Sequence, residues 1–258
     1  MIRDAINSDK TSVLKFCKDT FSWGDYVQDV WDYWLSEGNL FLYAKKYPVG
    51  ICHVFFSKNQ IWIEGIRIDP IFRRQKIASS LIKYAESIGR EKHASSSYML
   101  IDIENSSSLF MAKSLDYEIF QTWNFYSLLP NANSNYNVTF EKFLDSQKFP
   151  QFVKSWRWIP FDTNTLSTFY QENKIIKSTI GGDFSIAILT DSEHFDKTLI
   201  VTLFSGSYDS TLQIISFLQN YAIDKNYERI QILSKEKLST LNSLEHKISF
   251  HLMKKSLD

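Results

Sequence analysis

Cysteine is nearly absent from this chain. Two residues, Cys17 and Cys52, cannot build a disulfide framework, and neither sits in a Cys-x-x-Cys pair, so no zinc ribbon or redox motif is expected. An excess of one charge is missing too. The 29 basic side chains balance 29 acidic ones, whereas a general nucleic-acid binder needs a basic surplus to displace phosphate counterions. Nucleic acid is therefore not an expected partner. No run approaches the ~18 apolar residues of a membrane span, and the opening MIRDAINSDK lacks the apolar core of a signal peptide. The expectation is a protein of a reducing cytoplasm with no membrane partner. No repeat of solenoid period is present. The histidines, at 53, 93, 194, 246 and 251, show no ligand spacing, so no metal is expected.

What the chain has in quantity is aromatic side chains, 16% of residues, which favours large cores or ring-lined pockets. The strongest break is PNANSNY at 130–136, a Pro/Asn/Ser stretch between two periodic regions. It predicts a domain over 1–130 and a second over 136–258. The first reads as a short strand at 1–6, helices to about residue 20 and at 25–36, and strands at 40–46, 49–57 and 60–69. A helix at 77–90, a strand at 98–104, a helix at 105–115 and a strand pair at 117–129 follow. This is a mixed α/β order, with an antiparallel start and then a crossover. The second half predicts weak helices over 138–155, a strand at 156–161, a helix at 164–172 and strands at 175–180, 184–190 and 198–204. A helix at 210–223, a strand at 229–233, a short helix and a strand at 248–254 complete it. Trp156 and Trp158, two apart on a predicted strand, are expected to share a face and pack between the halves.

Residues 61–82, IWIEGIRIDPIFRRQKIASSLI, carry the chemistry. Ile61 and Ile63 alternate on one parity, Ile66 and Ile68 on the other. The phase slips at Glu64-Gly65, and a bulge is the usual way to keep both halves buried. A bulge frees backbone N–H groups that can polarise a thioester carbonyl. The loop after Pro70 then opens a helix. A helix N-terminus presents unpaired amides and positive potential, a natural pyrophosphate site. Arg73, Arg74 and Lys76 add charge, while Ala78 and Ser79 allow close approach.

This stretch resembles the acyl-CoA motif of the GNAT acyltransferase superfamily, Arg/Gln-x-x-Gly-x-Gly/Ala after a strand and a proline. Arg73, Ile77 and Ala78 match, while Lys76 stands at the middle glycine. The later signature Asn-x-x-Ala-x-x-x-Tyr-x-x-x-Gly-Phe is echoed by Asn105, Ser108, Ala112, Asp116 and Tyr117, with Ala112 at the tyrosine that usually protonates the leaving thiolate. The resemblance implies a GNAT-like α/β fold with a mixed sheet. It implies acetyl-CoA as cosubstrate, held by Ile66, Arg67 and Ile68 along the pantetheine arm, by Arg73, Arg74, Gln75, Lys76, Ile77, Ala78 and Ser79 around the pyrophosphate, and by Asn105.

Glu64, beside the bulge, is the candidate general base, against a plain salt-bridged strand residue. Tyr126 is the candidate acid, against core packing. Asp102 and Glu104 share a parity of the next strand and either hold a cationic acceptor or face solvent. Trp23 and Tyr26 belong to the early helices that cover the acceptor site in the family, against a ring stripe that is simply core. The second half resembles a degenerate GNAT-like unit, since residues 204–210, FSGSYDS, lack Arg and Pro. It either closes the acceptor pocket or forms a homodimer surface. The leading expectation is an N-acetyltransferase of a small amine or amino acid. The alternatives are a protein or peptide acetyltransferase and a non-catalytic acyl-CoA sensor.

Overall fold

The computed structural model describes residues 1–18, 20, 24–132, 135–238 and 241–258. The chain forms two compact units, Met1–Phe120 with His251–Asp258, and Gln121–Phe250. The break expected at 130–136 therefore lies inside the second unit. Composition located a true loop there, since the described residues of 129–138 carry no helix or strand. The unit boundaries instead run through strands, where no change of composition marks them.

In chain order the elements of the first unit are β1 (Ile2–Asp4), α1 (Lys10–Cys17), α2 (Val27–Glu37), β2 (Leu40–Ala44), β3 (Pro48–Ser57), β4 (Gln60–Ile68), α3 (Ile77–Glu91), β5 (Ser96–Asp102), α4 (Ser106–Lys113) and the start of β6 (Glu118–Leu128). The second unit takes the rest of β6, then β7 (Thr139–Phe140), β8 (Gln151–Lys154), β9 (Arg157–Pro160), α5 (Thr163–Gln171), β10 (Ile175–Ile180), β11 (Asp183–Asp191), β12 (Thr198–Phe204), α6 (Tyr208–Asp224), β13 (Arg229–Ser234) and the first half of β14 (Glu245–Ser256).

The sheet of the first unit runs β1-β2-β3-β4-β5, and the C-terminal end of β14 lies beside β5. Two cores cover its faces. On one, Ile61, Ile63, Met99 and Met253 pack with Leu81, Ile82 and Ala85 of α3. On the other, Leu40, Leu42 and Ile51 pack with Val13 of α1 and Val27, Val30, Trp31 and Trp34 of α2. The α2 residues recur at helical spacing, so one stripe of that helix is buried. Gly38 ends α2 with φ at +86°, a conformation that favours glycine.

The second unit repeats the plan, in the order β6-β13-β12-β11-β10-β7, with β12 and β13 parallel and α6 packed on the sheet. Three expected elements differ. Residues 118–128 form one strand rather than a pair, because EIFQTWNFYSL contains neither glycine nor proline to break it. The weak helices expected over 138–155 are replaced by β7 and β8. β8 pairs with β9 through a tight turn at Ser155 and Trp156, both with positive φ. Residues 235–238 and 241–244 carry no helix where a short one was expected. Trp156 thus sits at the turn and does not share a strand face with Trp158. Both pack inside the second unit, Trp156 on Phe125 and Phe250, and Trp158 on Trp123. No helix among the described residues is long and apolar enough to cross a membrane.

Candidate active site

The bulge stands where the parity slip placed it. In the β3–β4 ladder His53 pairs with Glu64 and Ile51 with Arg67, so Cys52 alone opposes Gly65 and Ile66. Ile61, Ile63, Ile66 and Ile68 consequently all face the α3 core. Gly65 takes φ +61°, and a β-carbon there would stand 2.3 Å from the Trp34 ring. β5 follows β4 in parallel only from Gln60↔Ser96 to Trp62↔Tyr98. Beyond that pair the two strands part, and Glu64 lies just past the divergence.

Glu64 is held by a neighbour that charge counting does not reveal. His53, fully buried, sets Nδ1 2.8 Å from Glu64 Oε1. Its Nε2 lies 3.1 Å from the Gly38 carbonyl and 3.4 Å from Glu37 Oε2. The Trp34 ring stacks on the imidazole at 4.9 Å and 7°. Tyr26 meets Trp34 edge-on, and its ring lies under the Arg67 guanidinium. Arg67 grips Asp25 through Nε at 2.6 Å and Nη2 at 3.1 Å, an ion pair with little solvent contact. Burial pushes the Tyr26 hydroxyl up, as do Glu64 and Asp25, while Arg67 opposes them. Burial and Asp25 push the Cys17 thiol up to about 12, and burial with Glu64 pushes Cys52 up as well. Neither cysteine is thus an ionised nucleophile at neutral pH.

The loop before α3 is built to present amides. Asp69 accepts from the Ile71 amide and shapes a turn of 3-10 helix at Pro70–Phe72. Arg74 and Lys76 both adopt left-handed backbone, at φ +63° and +59°, two residues apart. Such alternation turns successive N–H groups toward one concavity. No side chain caps the α3 N-terminus, and Arg73, Arg74, Gln75 and Lys76 are exposed around it. Ile77 is buried beneath the loop, with Ala78 and Ser79 half-buried. Lys45 bonds Gln75 at 2.9 Å and adds a fourth cation to the group.

Residues 7–117 match the family model described as the acetyltransferase (GNAT) family. These residues form a GNAT domain. No curated protein matches the chain. Among solved structures, a GCN5-related N-acetyltransferase from Sphaerobacter thermophilus is similar at TM-score 0.66 and 10% identity, over 100% of this chain and 95% of that one. Another from Kribbella flavida gives 0.52 and 12%, over 100% and 71%. A tandem GNAT protein from the clavulanic acid biosynthesis pathway gives 0.56 and 8%, over 100% and 98%. At such identities these likenesses establish the fold, and they span both units.

Of the expected site residues, the GNAT domain brings Glu64, Tyr26 and Arg67 together at the bulge, and gathers residues 73–79 at α3. Others lie elsewhere. Tyr126 belongs to the core of the second unit, where its hydroxyl accepts from the Leu238 amide at 2.8 Å, a packing position rather than one among the residues gathered at the bulge. Glu104 is not on β5, which ends at Asp102. The Asp102 carboxylate accepts from the Glu104 amide at 2.9 Å, closing a turn in place of a shared acidic face. Asn105 caps α4 by accepting from the Ser108 amide at 3.0 Å. Trp23 lies outside the described residues. The residues missed were His53, Glu37 and Asp25. Counting back along the hairpin from the Ser57↔Gln60 pair sets His53 opposite Glu64, a signal available from sequence.

Proposed function

We propose that the GNAT domain transfers the acetyl group of acetyl-CoA to the amine of a small molecule or amino acid. The observation that carries this reading is the position of Glu64, a carboxylate beside a bulged strand at the point where β4 and β5 diverge. In this reading the pantetheine arm enters between the two strands along Ile66–Ile68. The uncapped α3 terminus and Arg73, Arg74 and Lys76 hold the pyrophosphate. The acceptor ammonium meets a surface made of Glu64, Tyr26 and the Asp25–Arg67 pair, where a carboxylate favours a cation and an aromatic ring covers its apolar part.

Glu64 takes a proton from the ammonium, and the amine attacks the thioester carbonyl. Backbone amides turned out by the bulge stabilise the oxyanion. CoA leaves as thiolate. Ala112 is fully buried in the core and Tyr126 is committed elsewhere, so the second proton shed by the acylated nitrogen reaches the thiolate through water. No cysteine nucleophile takes part.

Calorimetric titration with acetyl-CoA, combined with a screen of amines for CoA release, tests the reading. Glu64→Gln is expected to keep acetyl-CoA binding and lose about 10²-fold or more in turnover. An Arg73→Ala/Arg74→Ala double variant is expected to lose binding. Wild-type protein that binds no acetyl-CoA at millimolar concentration would sink the proposal. Binding without CoA release from any amine would leave an acyl-CoA sensor in its place.

A further inference from the structure

His53 is a buried titratable side chain whose partners restrict where its protons can be. The Gly38 carbonyl, 3.1 Å from Nε2, can only accept, so Nε2 carries hydrogen. Nδ1 then faces Glu64 Oε1 at 2.8 Å. A bare ring nitrogen and an ionised carboxylate oxygen would repel at that distance. The resting pair therefore holds a proton between them, either on Nδ1 with Glu64 ionised or on Glu64 with the ring neutral, and the repulsion in the emptied pair is what makes it a base. The two descriptions contain the same number of protons, and such a pair titrates as a unit.

We infer that His53 and Glu64 act as one base with a single shared proton, and that this pair, rather than Glu64 alone, takes the proton of the acceptor ammonium. The inference rests on the proposed role of Glu64 in acetyl transfer. The working form is the emptied pair, with Glu64 ionised and His53 neutral. The ammonium N–H bond breaks, its electrons stay on the amine nitrogen, and the proton comes to rest between Oε1 and Nδ1. The freed amine attacks. Each turnover converts an ammonium and acetyl-CoA into an amide, CoA thiol and one proton, which the pair returns to solvent before the next cycle. His53 is thus a positioning and proton-sharing residue behind Glu64.

The surroundings set the sign of the coupling. From α2, Glu37 stands 3.4 Å from Nε2, holds the Tyr33 hydroxyl, and favours a proton on the ring. Trp34 stacks on the imidazole and contributes no charge. From the segment before α2 come Asp25 and Tyr26, and from β4 comes Arg67, whose charge Asp25 offsets at 2.6 Å. Cys52 of β3 and Cys17 of α1 stay neutral thiols, and Tyr26 a neutral phenol, because burial raises all three. Apart from Glu64 itself, the charge beside the ring is thus the Glu37 carboxylate at Nε2, with that of Arg67 offset by Asp25.

The test is the pH profile of kcat/KM for wild type and His53→Gln, using acetyl-CoA and the amine that releases CoA fastest in the screen. The acid limb of His53→Gln is expected at lower pH than that of wild type, because the carboxylate then holds its proton without the ring nitrogen. The plateau should also fall about tenfold or more, with acetyl-CoA affinity unchanged. A His53→Gln profile with limb and plateau unmoved, beside an inactive Glu64→Gln, overturns the shared base and leaves Glu64 as base. A fully active Glu64→Gln overturns the proposed role of Glu64 itself. Should His53→Gln not fold, ¹⁵N-histidine NMR of wild type and Glu64→Gln decides. One imidazole is expected to keep a proton on Nδ1 at neutral pH and lose it in the variant. Five imidazoles that are all indifferent to Glu64→Gln would overturn the pair.

Discussion

Gly65 meets two independent demands. Its φ of +61° is a region where a β-carbon is strained, and the space that β-carbon would need is taken by the Trp34 ring. Trp34 in turn lies flat on His53, which holds Glu64. A substitution at 65 therefore reaches the proposed base through two ring contacts. Gly65→Ala is expected to destabilise the first unit by about 2–4 kcal/mol, combining backbone strain with overpacking. It should also lower turnover more than acetyl-CoA affinity, because the displaced ring stacks on His53 beside the proposed base. Denaturant titration and steady-state kinetics check this. A variant as stable and as active as wild type would mean that Trp34 yields freely and that its stack positions nothing.

At the scale of elements, the loop into α3 shows a local rule being broken. Lys76 takes a left-handed conformation at the helix N-cap, where the related motif carries glycine. Lys76→Gly should relieve that strain, partly offset by greater freedom in the unfolded chain, for a net gain of about 0.5–1 kcal/mol. At the same time it removes one cation from the proposed pyrophosphate site, so acetyl-CoA affinity should fall as stability rises. Thermal melts and calorimetry report the two separately. A loss of stability would show that the lysine side chain, and not backbone strain, governs the loop. The sequence carried this element openly, in Pro70, the basic run and the small residues, as it carried the α2 stripe and the parity slip at Glu64-Gly65. The His53–Glu64 pair was legible in the hairpin register but not in linear spacing, where a histidine and a glutamate eleven residues apart look unrelated. Glu104 and Tyr126 misled for a related reason. Parity along a strand says nothing about where the strand stops, and an aromatic residue near a predicted domain end does not reveal which core it joins.

For the whole molecule, the family match ends at residue 117, yet the first unit is incomplete there. It also takes in His251–Asp258 from the far end of the chain. Met253 and Leu257 are buried in its core with α3. Lys255 reaches Glu86, itself only 2% exposed, at 2.9 Å, and the Leu257 carbonyl accepts from Arg90 Nε at 3.1 Å. This is contact over the longest sequence separations, which local periodicity cannot encode. Removing these eight residues loses three buried apolar side chains, Leu252, Met253 and Leu257, at about 2–5 kcal/mol each. It also leaves the buried Glu86 carboxylate with the Tyr117 hydroxyl and with Arg90, 3.7 Å away, in place of its lysine, and breaking such a buried pair costs about 3–5 kcal/mol. The total is comparable with the whole stability of a typical domain. A chain ending at Phe250 is therefore expected to lose the cooperative melt of the first unit and with it acetyl-CoA binding, although every residue of the GNAT match is retained. Point variants separate charge from packing. Lys255→Met alone should destabilise by about 3 kcal/mol, because Glu86 then stays buried beside a distant, half-exposed arginine. Glu86→Met with Lys255→Met should be close to neutral or more stable, since an apolar pair of similar volume replaces a desolvated ionic one. Equal melts for the single and double variants would place the role of the C-terminal segment in its apolar contacts alone.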